Sequence, residues 1–351
     1  MQFIVPLIVV IATLIAGLAI FMLLSVDPQI AFKAYFIEPL SSVYGISEWL
    51  LKALPLCLIG LGLAVAYRAQ VWNIGAEGQL VMGGIFATAV MVYAQNSITS
   101  GALVVLMILA GIVGGMVWAG LAAWMRTQFN ANEILTTLML VYVAQSLLQY
   151  LLVGTVDNTA PLQDPMGAGF PQSQMFPAHA TLPLLGQWLP ALETTRLHVG
   201  VLLILLAVPL MWLFVKRSFI GFQMTVAGLA PKAANYAGFK TNRLIWLALL
   251  ISGGLAGLAG ALEVAGPVGQ LQESWRPGYG FTAIIVAFLG RLHPIGVLLG
   301  ALLMALLTLG GEALQISMSL PQSVSMLFQG LLLLFLLSAD VLVNYRIVWK
   351  K

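Results

Sequence analysis

The sequence predicts an all-α polytopic membrane protein of about ten transmembrane helices, with broken helices and an inverted repeat. Three observations carry that prediction. The 351 residues are 61% hydrophobic and 8% charged, with a mean hydropathy of +1.00. An ordinary soluble domain carries about 25% charged residues, so this chain lacks the polar surface to cover a water-exposed globule. Its apolar residues fall into runs near the roughly 20 residues that a helix needs to cross hydrocarbon. The basic residues stand singly between those runs, as topology signals do. They form no stripe of the kind nucleic acid requires, despite a formal charge of +3 and a pI near 9.0.

Read between charges and proline or glycine breaks, the helices fall at 3–24, 48–67, 78–95, 101–125, 131–153, 198–215, 243–263, 279–290, 293–311 and 323–343. The first is longer than a signal-peptide core and lacks a positive leader and a small-residue cleavage pattern, so it reads as a spanning helix. The second contains the single cysteine, Cys57, whose apolar surroundings indicate packing. The eighth, at about a dozen residues, is too short for a full crossing and reads as a half-helix.

Ten crossings with both ends cytoplasmic put Arg68, Arg126, Lys216, Arg217, Lys232, Lys240, Arg243, Arg291, Arg346, Lys350 and Lys351 inside. Lys33, Lys52, Arg196 and Arg276 are left outside, the asymmetry expected of cytoplasmic loops. The chain 1–351 then reads as a single transmembrane domain with a cytoplasmic loop at 216–243 and an extracytoplasmic loop at 154–197. The latter carries Pro161, Pro165, Pro171, Pro177, Pro183 and Pro190, which favour an ordered surface loop or short helices. Such a loop could cap a pathway, dock a partner or simply connect.

No constellation of enzyme residues is present. HExxH, GxSxG and CxxC are absent, and His179, His198 and His293 stand far apart near predicted membrane ends. Without GxxxxGK[ST] the chain has no phosphate-cradling loop, so a transport machine built on it takes its energy from elsewhere. The sequence implies no catalytic residue, no cofactor and no metal.

Two segments stand out instead. Between Lys216 and Arg243 the sequence holds five basic residues and no acid, and within it lies Gly228-Leu229-Ala230-Pro231-Lys232-Ala233-Ala234-Asn235-Tyr236-Ala237-Gly238. Proline suits the first position of a helix and glycine the left-handed position just past its end, which predicts a two-turn capped helix. Small residues on it would permit insertion into a partner's groove, whereas an interfacial helix held by anionic headgroups is the alternative. The second segment is Asn73 to Gln79. Glycines flank Ala76-Glu77 before an apolar run, so the backbone can break and restart with Glu77 in the first turn, favoured by the macrodipole. An ionisable residue there marks a candidate solute pathway, the alternative being that Glu77 and Gln79 only cap the helix. Trp72 to Gln79 has an echo in Trp275 to Phe281, which enters from the opposite face in this topology, as inverted repeats of transporters do. Asn73, Glu77, Gln79, Trp275, Tyr279 and Phe281 are therefore the candidate pathway residues, their aromatic faces and amides suited to a nucleoside or sugar. Gly111–Gly115, Gly253–Gly257 and Gly296–Gly300 are read as close-packing seams.

Val71 to Gln79, the Gly228 to Gly238 loop, and Pro277 to Ile284 followed by Leu289 to Pro294 resemble the permease subunits of bacterial ABC importers of the simple-sugar and nucleoside group, relatives of the ribose and branched-chain amino-acid permeases. The resemblance runs from about Val26 to Asn344. It implies a plasma (inner) membrane protein that works with two ABC ATPase subunits or domains, an extracytoplasmic substrate-binding protein and a second permease, as a heterodimer or a homodimer. It also makes Gly228, Leu229, Ala230, Pro231, Lys232, Ala233, Ala234 and Tyr236 the ATPase-coupling residues. Ala230 and Asn235 depart from the family pattern, in which asparagine and a basic residue are common, and the N-terminus lacks a basic leader. The competing class is an ion-coupled secondary transporter of a small polar solute, which would need more ionisable groups within its bundle than Glu77, Glu263 and Glu312.

Overall fold

The computed structural model describes residues 4–23, 26–154, 160–167, 169–275, 278–321 and 323–344. Arg276, Pro277, Arg346, Lys350 and Lys351, used above, lie outside the described residues. Among the described residues the chain is helical, with two isolated β-bridges and no longer strand. The helices are α1 (Ile4–Leu23), α2 (Pro28–Phe32), α3 (Val43–Arg68), α4 (Ala76–Ala94), α5 (Ala102–Phe129), α6 (Glu133–Leu152), α7 (Leu202–Arg217), α8 (Phe219–Leu229), α9 (Pro231–Tyr236), α10 (Thr241–Glu263), α11 (Tyr279–Leu289), α12 (Pro294–Met318) and α13 (Ser323–Asn344). Seven helical segments among the described residues are long and apolar enough to cross a membrane. Shorter apolar helices accompany them, so the chain is a polytopic membrane protein.

The predicted helices are present with adjusted ends. α3 begins five residues earlier than predicted, with Lys52 well inside it. α12 continues to Met318 and takes in Glu312. α8 was not anticipated. Its eleven residues carry Gly228 and Leu229, which the sequence assigned to the short capped helix. That helix is α9 alone, with Pro231 in its first turn. Its end is the predicted one: Gly238 takes φ +78°, its N–H donates to Asn235 O and the Phe239 N–H donates to Ala234 O, the paired bonds of a left-handed C-cap.

The chain divides into two compact units. In the first, Met1–Ala53 with Leu302–Lys351, the Tyr35 ring stacks on Phe328 at 5.0 Å, and its hydroxyl donates to Leu307 O at 2.6 Å. Trp49 Nε1 donates to Leu302 O, and Lys52 pairs with Glu312 at 2.8 Å. The second unit, Leu54–Ala301, is built on α4, α5 and α10 packed backbone to backbone. Helices in lipid gain nothing from hydrophobicity against one another and depend on close van der Waals approach. Hence Gly111 and Gly115 of α5 interlock with Gly253 and Gly257 of α10, and Gly83 of α4 meets Gly257. Gly296 packs on Gly290 in the same unit. The glycine seams are internal packing.

The connection from α6 to α7 is a strap of short 3-10 turns laid along the segment after α10. The N–H groups of Ser173, Phe176 and Leu182 each donate at 2.8 Å, to Leu271 O, Gly269 O and Ala265 O respectively. The Glu273 N–H returns a bond to Pro171 O. His198 anchors its far end. The imidazole is buried, accepts the Gly200 N–H at 3.1 Å on Nδ1, and lies against Gly266. Burial pushes its pKa from 6.5 down to about 4.

Two outcomes follow from this packing. Gly257→Val drives a side chain into the Gly111 carbonyl and should cost about 1–3 kcal/mol or more, read as a lowered thermal midpoint in detergent. Gly330→Ala, with nothing within 4 Å, should leave the midpoint unchanged. Folded His198 stays neutral below pH 6.5 while the unfolded chain takes up the proton, so the unfolded state binds more protons there. Stability therefore declines as pH falls from 6.5 to about 4, by about 3 kcal/mol at the bottom of that window. His198→Asn, which never charges, should show a flatter midpoint over the same range.

Candidate functional site

After α3 the chain runs through Val71–Ile74 in no regular structure before α4 starts at Ala76. Exposed backbone polar groups are expensive in a low-dielectric interior, and here side chains meet them. The Ile74 N–H donates to Thr137 Oγ1 at 3.1 Å and the Gly75 N–H to Asn73 Oδ1 at 3.0 Å. The Trp72 N–H lies 3.4 Å from Glu133 Oε1, a long contact, and Tyr67 donates its hydroxyl to Asn73 O at 3.1 Å. Glu133 is also paired with Arg126.

Asn73 is the hub. Its Nδ2 donates to Gln79 Oε1 and Ser252 Oγ, both at 2.9 Å, and its Oδ1 accepts from Gln79 Nε2 and the Gly75 N–H, both at 3.0 Å. Those four bonds exhaust the amide. Asn73 and Gln79 are 0% and 2% exposed.

Glu77, 1% exposed, does something different. Its carboxylate accepts the Gly278 N–H at 2.9 Å on Oε1 and the Gly280 N–H at 2.7 Å on Oε2, so it binds the first turn of α11 from within the first turn of α4. A Cβ on Gly280 would collide with the Glu77 backbone, so only glycine allows this approach. Each helix N-terminus carries the equivalent of about half a positive charge. Two such ends brought together repel unless an anion lies between them, and the Glu77 carboxylate occupies that place.

The structure thus joins Glu77 to the start of α11, uniting the two segments whose sequences echo each other, while Asn73 and Gln79 bond to each other and to Ser252 of α10. Trp275 is buried with its ring against Gly84, two turns along α4 from Glu77. Its Nε1 and Thr88 Oγ1 are buried and make no hydrogen bond among the described residues. Tyr279 is half-buried and Phe281 is 41% exposed, so Phe281 is not part of the buried cluster. Of the residues that the family resemblance assigns to ATPase coupling, Ala234 is buried and anchors α9. Lys232 and Ala233 are exposed, and Tyr236 is 96% exposed. Sequence reasoning missed Glu133, Thr137 and Ser252. Glu133 and Thr137 stand at i and i+4 at the start of an apolar run, a spacing that puts both on one face of α6.

Glu77→Ala strips two buried N–H groups of their acceptor and should cost about 1–3 kcal/mol for each. Glu77→Gln keeps one acceptor oxygen and should lose less. Thermal unfolding of the purified variants in detergent ranks them.

Comparison with known proteins now bears on this architecture. The family described as the branched-chain amino acid transport system / permease component matches residues 45–337. The chain is 38% identical over 346 residues to the glucose ABC transporter permease protein TsgB13 of Haloferax volcanii, covering 97% of this chain and 89% of the relative. It is 29% identical to the guanosine ABC transporter permease protein NupP of Bacillus subtilis, with 95% and 93% covered. To the nucleoside ABC transporter permease protein NupB of Lactococcus lactis it is 27% identical, with 88% and 84% covered. Haloferax volcanii and Bacillus subtilis each hold a second permease that also matches. No solved structure matches. With a family match over most of its length and a close relative spanning nearly all of it, the chain belongs to the branched-chain amino acid transport system permease family.

Proposed function

We propose that the chain is the permease subunit of an ATP-driven ABC importer of simple sugars or nucleosides. It would sit as a single transmembrane domain in the plasma (inner) membrane, with ten crossings and both termini cytoplasmic. The observation that carries this reading is the match along 97% of the chain to a permease named for glucose, joined by permeases named for guanosine and nucleosides. The paired permeases of two organisms support a second permease subunit beside this one, most simply as a heterodimer. Two ATPase subunits and an extracytoplasmic binding protein complete the machine.

In this reading α11 is a half-helix of an inverted repeat, set against the start of α4. At 1.5 Å per residue the eleven residues of α11 reach about 17 Å, roughly half the hydrocarbon thickness. Their meeting point at Glu77 then falls near mid-membrane. Asn73, Glu77 and Gln79 hold the break open from within the chain, while Trp275, Tyr279 and Phe281 turn aromatic faces to the solute path. The unused Trp275 Nε1–H and Thr88 hydroxyl have hydrogen bonds to offer a sugar or nucleoside hydroxyl. On the cytoplasmic side the segment from Gly228 through Leu229, Ala230, Pro231, Lys232, Ala233 and Ala234 to Tyr236 contacts the ATPase. Leu229 and Tyr236, both strongly exposed, supply the apolar contact area.

Lys232→Glu combined with Ala233→Trp alters exposed positions, so membrane insertion should be normal. Solute uptake per ATP hydrolysed in the reconstituted importer should fall roughly 5- to 150-fold, the range of typical coupling energies. Unchanged uptake would remove α9 from the ATPase contact. Uptake by vesicles holding this chain alone, driven by an ion gradient and indifferent to ATP, would make it a secondary carrier instead.

A further inference from the structure

We propose that Arg68 is the positioning residue that carries movement of the α8–α9 link to the cytoplasmic end of α11. The proposal rests on the reading of α9 as the ATPase contact, and it assigns a role to a residue that no motif singles out.

Four observations converge on Arg68. First, the last turn of α8, which leads into α9, touches the end of α3 there: a Cβ on Gly228 would stand 2.5 Å from the Arg68 carbonyl oxygen and 2.9 Å from the Ala69 carbonyl carbon. Beside that contact the two elements separate around a cavity of about 220 Å³ lined by Gln70, Val71, Arg126, Pro231, Asn235 and Thr241 among others. The contact at Gly228 is therefore local, with room next to it for α9 to shift.

Second, the Arg68 side chain reaches the other way. Its Nε donates to Leu292 O at 2.9 Å, in the turn that joins α11 to α12. Third, both turns are strained. Gln70 (φ +54°), Arg291 (φ +50°) and Leu292 (φ +55°) are left-handed residues with side chains, and α3 and α11 each close there with a bond from two residues past the cap, Val71 N–H to Ala66 O and Leu292 N–H to Ala287 O. Strain of this kind persists only where surroundings over-determine it, and it collects at switch regions. Fourth, stacked rings tie the same three places. Tyr67 of α3 lies 5.1 Å from Trp72 and 5.3 Å from Phe288 of α11. His293 closes the cluster. It is held below the usual histidine range by burial and by the cations Lys216 and Arg68.

A push on Gly228 thus lands on the backbone of the residue whose side chain grips the end of α11. The start of α11 is gripped by Glu77 on α4, which the glycine seams hold in place. One displacement at Arg68 would therefore tilt α11 against α4.

The test uses the assembled importer, permease with its ATPases, in nanodiscs. Spin labels go on exposed residues: Ala237 at the end of α9, Ile295 at the start of α12, and Phe129 at the end of α5 as reference. Distances from Phe129 are measured with and without a non-hydrolysable ATP analogue. In the parent both distances shift. In Arg68→Gln the Ala237 shift should persist while the Ile295 shift shrinks roughly fivefold or more. Persistence of both shifts would overturn the proposal. Absence of the Ala237 shift in the parent would instead count against α9 as the ATPase contact. If Arg68→Gln does not fold, Arg68→Lys, which keeps charge and stem but replaces the fixed Nε–H with a flexible ammonium, is read by the same two distances.

Discussion

One carboxylate set between two helix N-termini is the constraint around which the second unit is arranged. Backbone may leave a helix inside a membrane protein only where other protein groups satisfy its polar atoms. Two breaks placed face to face add electrostatic repulsion to that demand. Glu77 meets both requirements with two bonds to α11. Gly280 must lack a side chain for the carboxylate to come close enough, and Asn73, Thr137 and Glu133 must furnish the chain leading into α4. Remove the carboxylate and the glycine loses its reason to be there.

Around that centre the fold combines parts of unequal stiffness. The interlocked glycines of α4, α5 and α10 leave no space for relative sliding, so this trio behaves as a frame. α11 is short, packs its middle on α3 and α12 through Val286, and is bonded at its ends, by Glu77 at one and by the Arg68, Tyr67 and Trp72 cluster at the other. A short element gripped at both ends beside a rigid frame is suited to rocking, and alternating access needs such a motion.

Much of this was legible in the sequence, and the exceptions have physical causes. The long helices and the caps of α9 are one-dimensional signals: apolar run length, proline at a first turn, glycine at a left-handed end. The echo between Trp72–Gln79 and Trp275–Phe281 pointed to two related breaks. That Glu77 of one binds Gly278 and Gly280 of the other is a pairing across two hundred residues, which spacing alone does not encode. α8 escaped notice because its eleven residues are too few for a crossing and merge with a basic loop. Glu133 escaped because an acid at the start of an apolar run ordinarily reads as a helix end, whereas here it is buried with Arg126 under the extended chain. The candidate pathway residues divide for a similar reason: burial and hydrogen bonding separate Asn73 and Gln79, already committed within the chain, from Phe281 at the surface.

The strap between α6 and α7 is fastened chiefly by main-chain bonds to the stretch that follows α10. Such bonds are indifferent to which side chains hang from them. Its outward residues, Met166, Phe170, Met175 and Trp188 among them, can therefore be exchanged with little effect on how the strap is held. A lineage of such permeases could change that exposed surface one substitution at a time, leaving the buried machinery untouched.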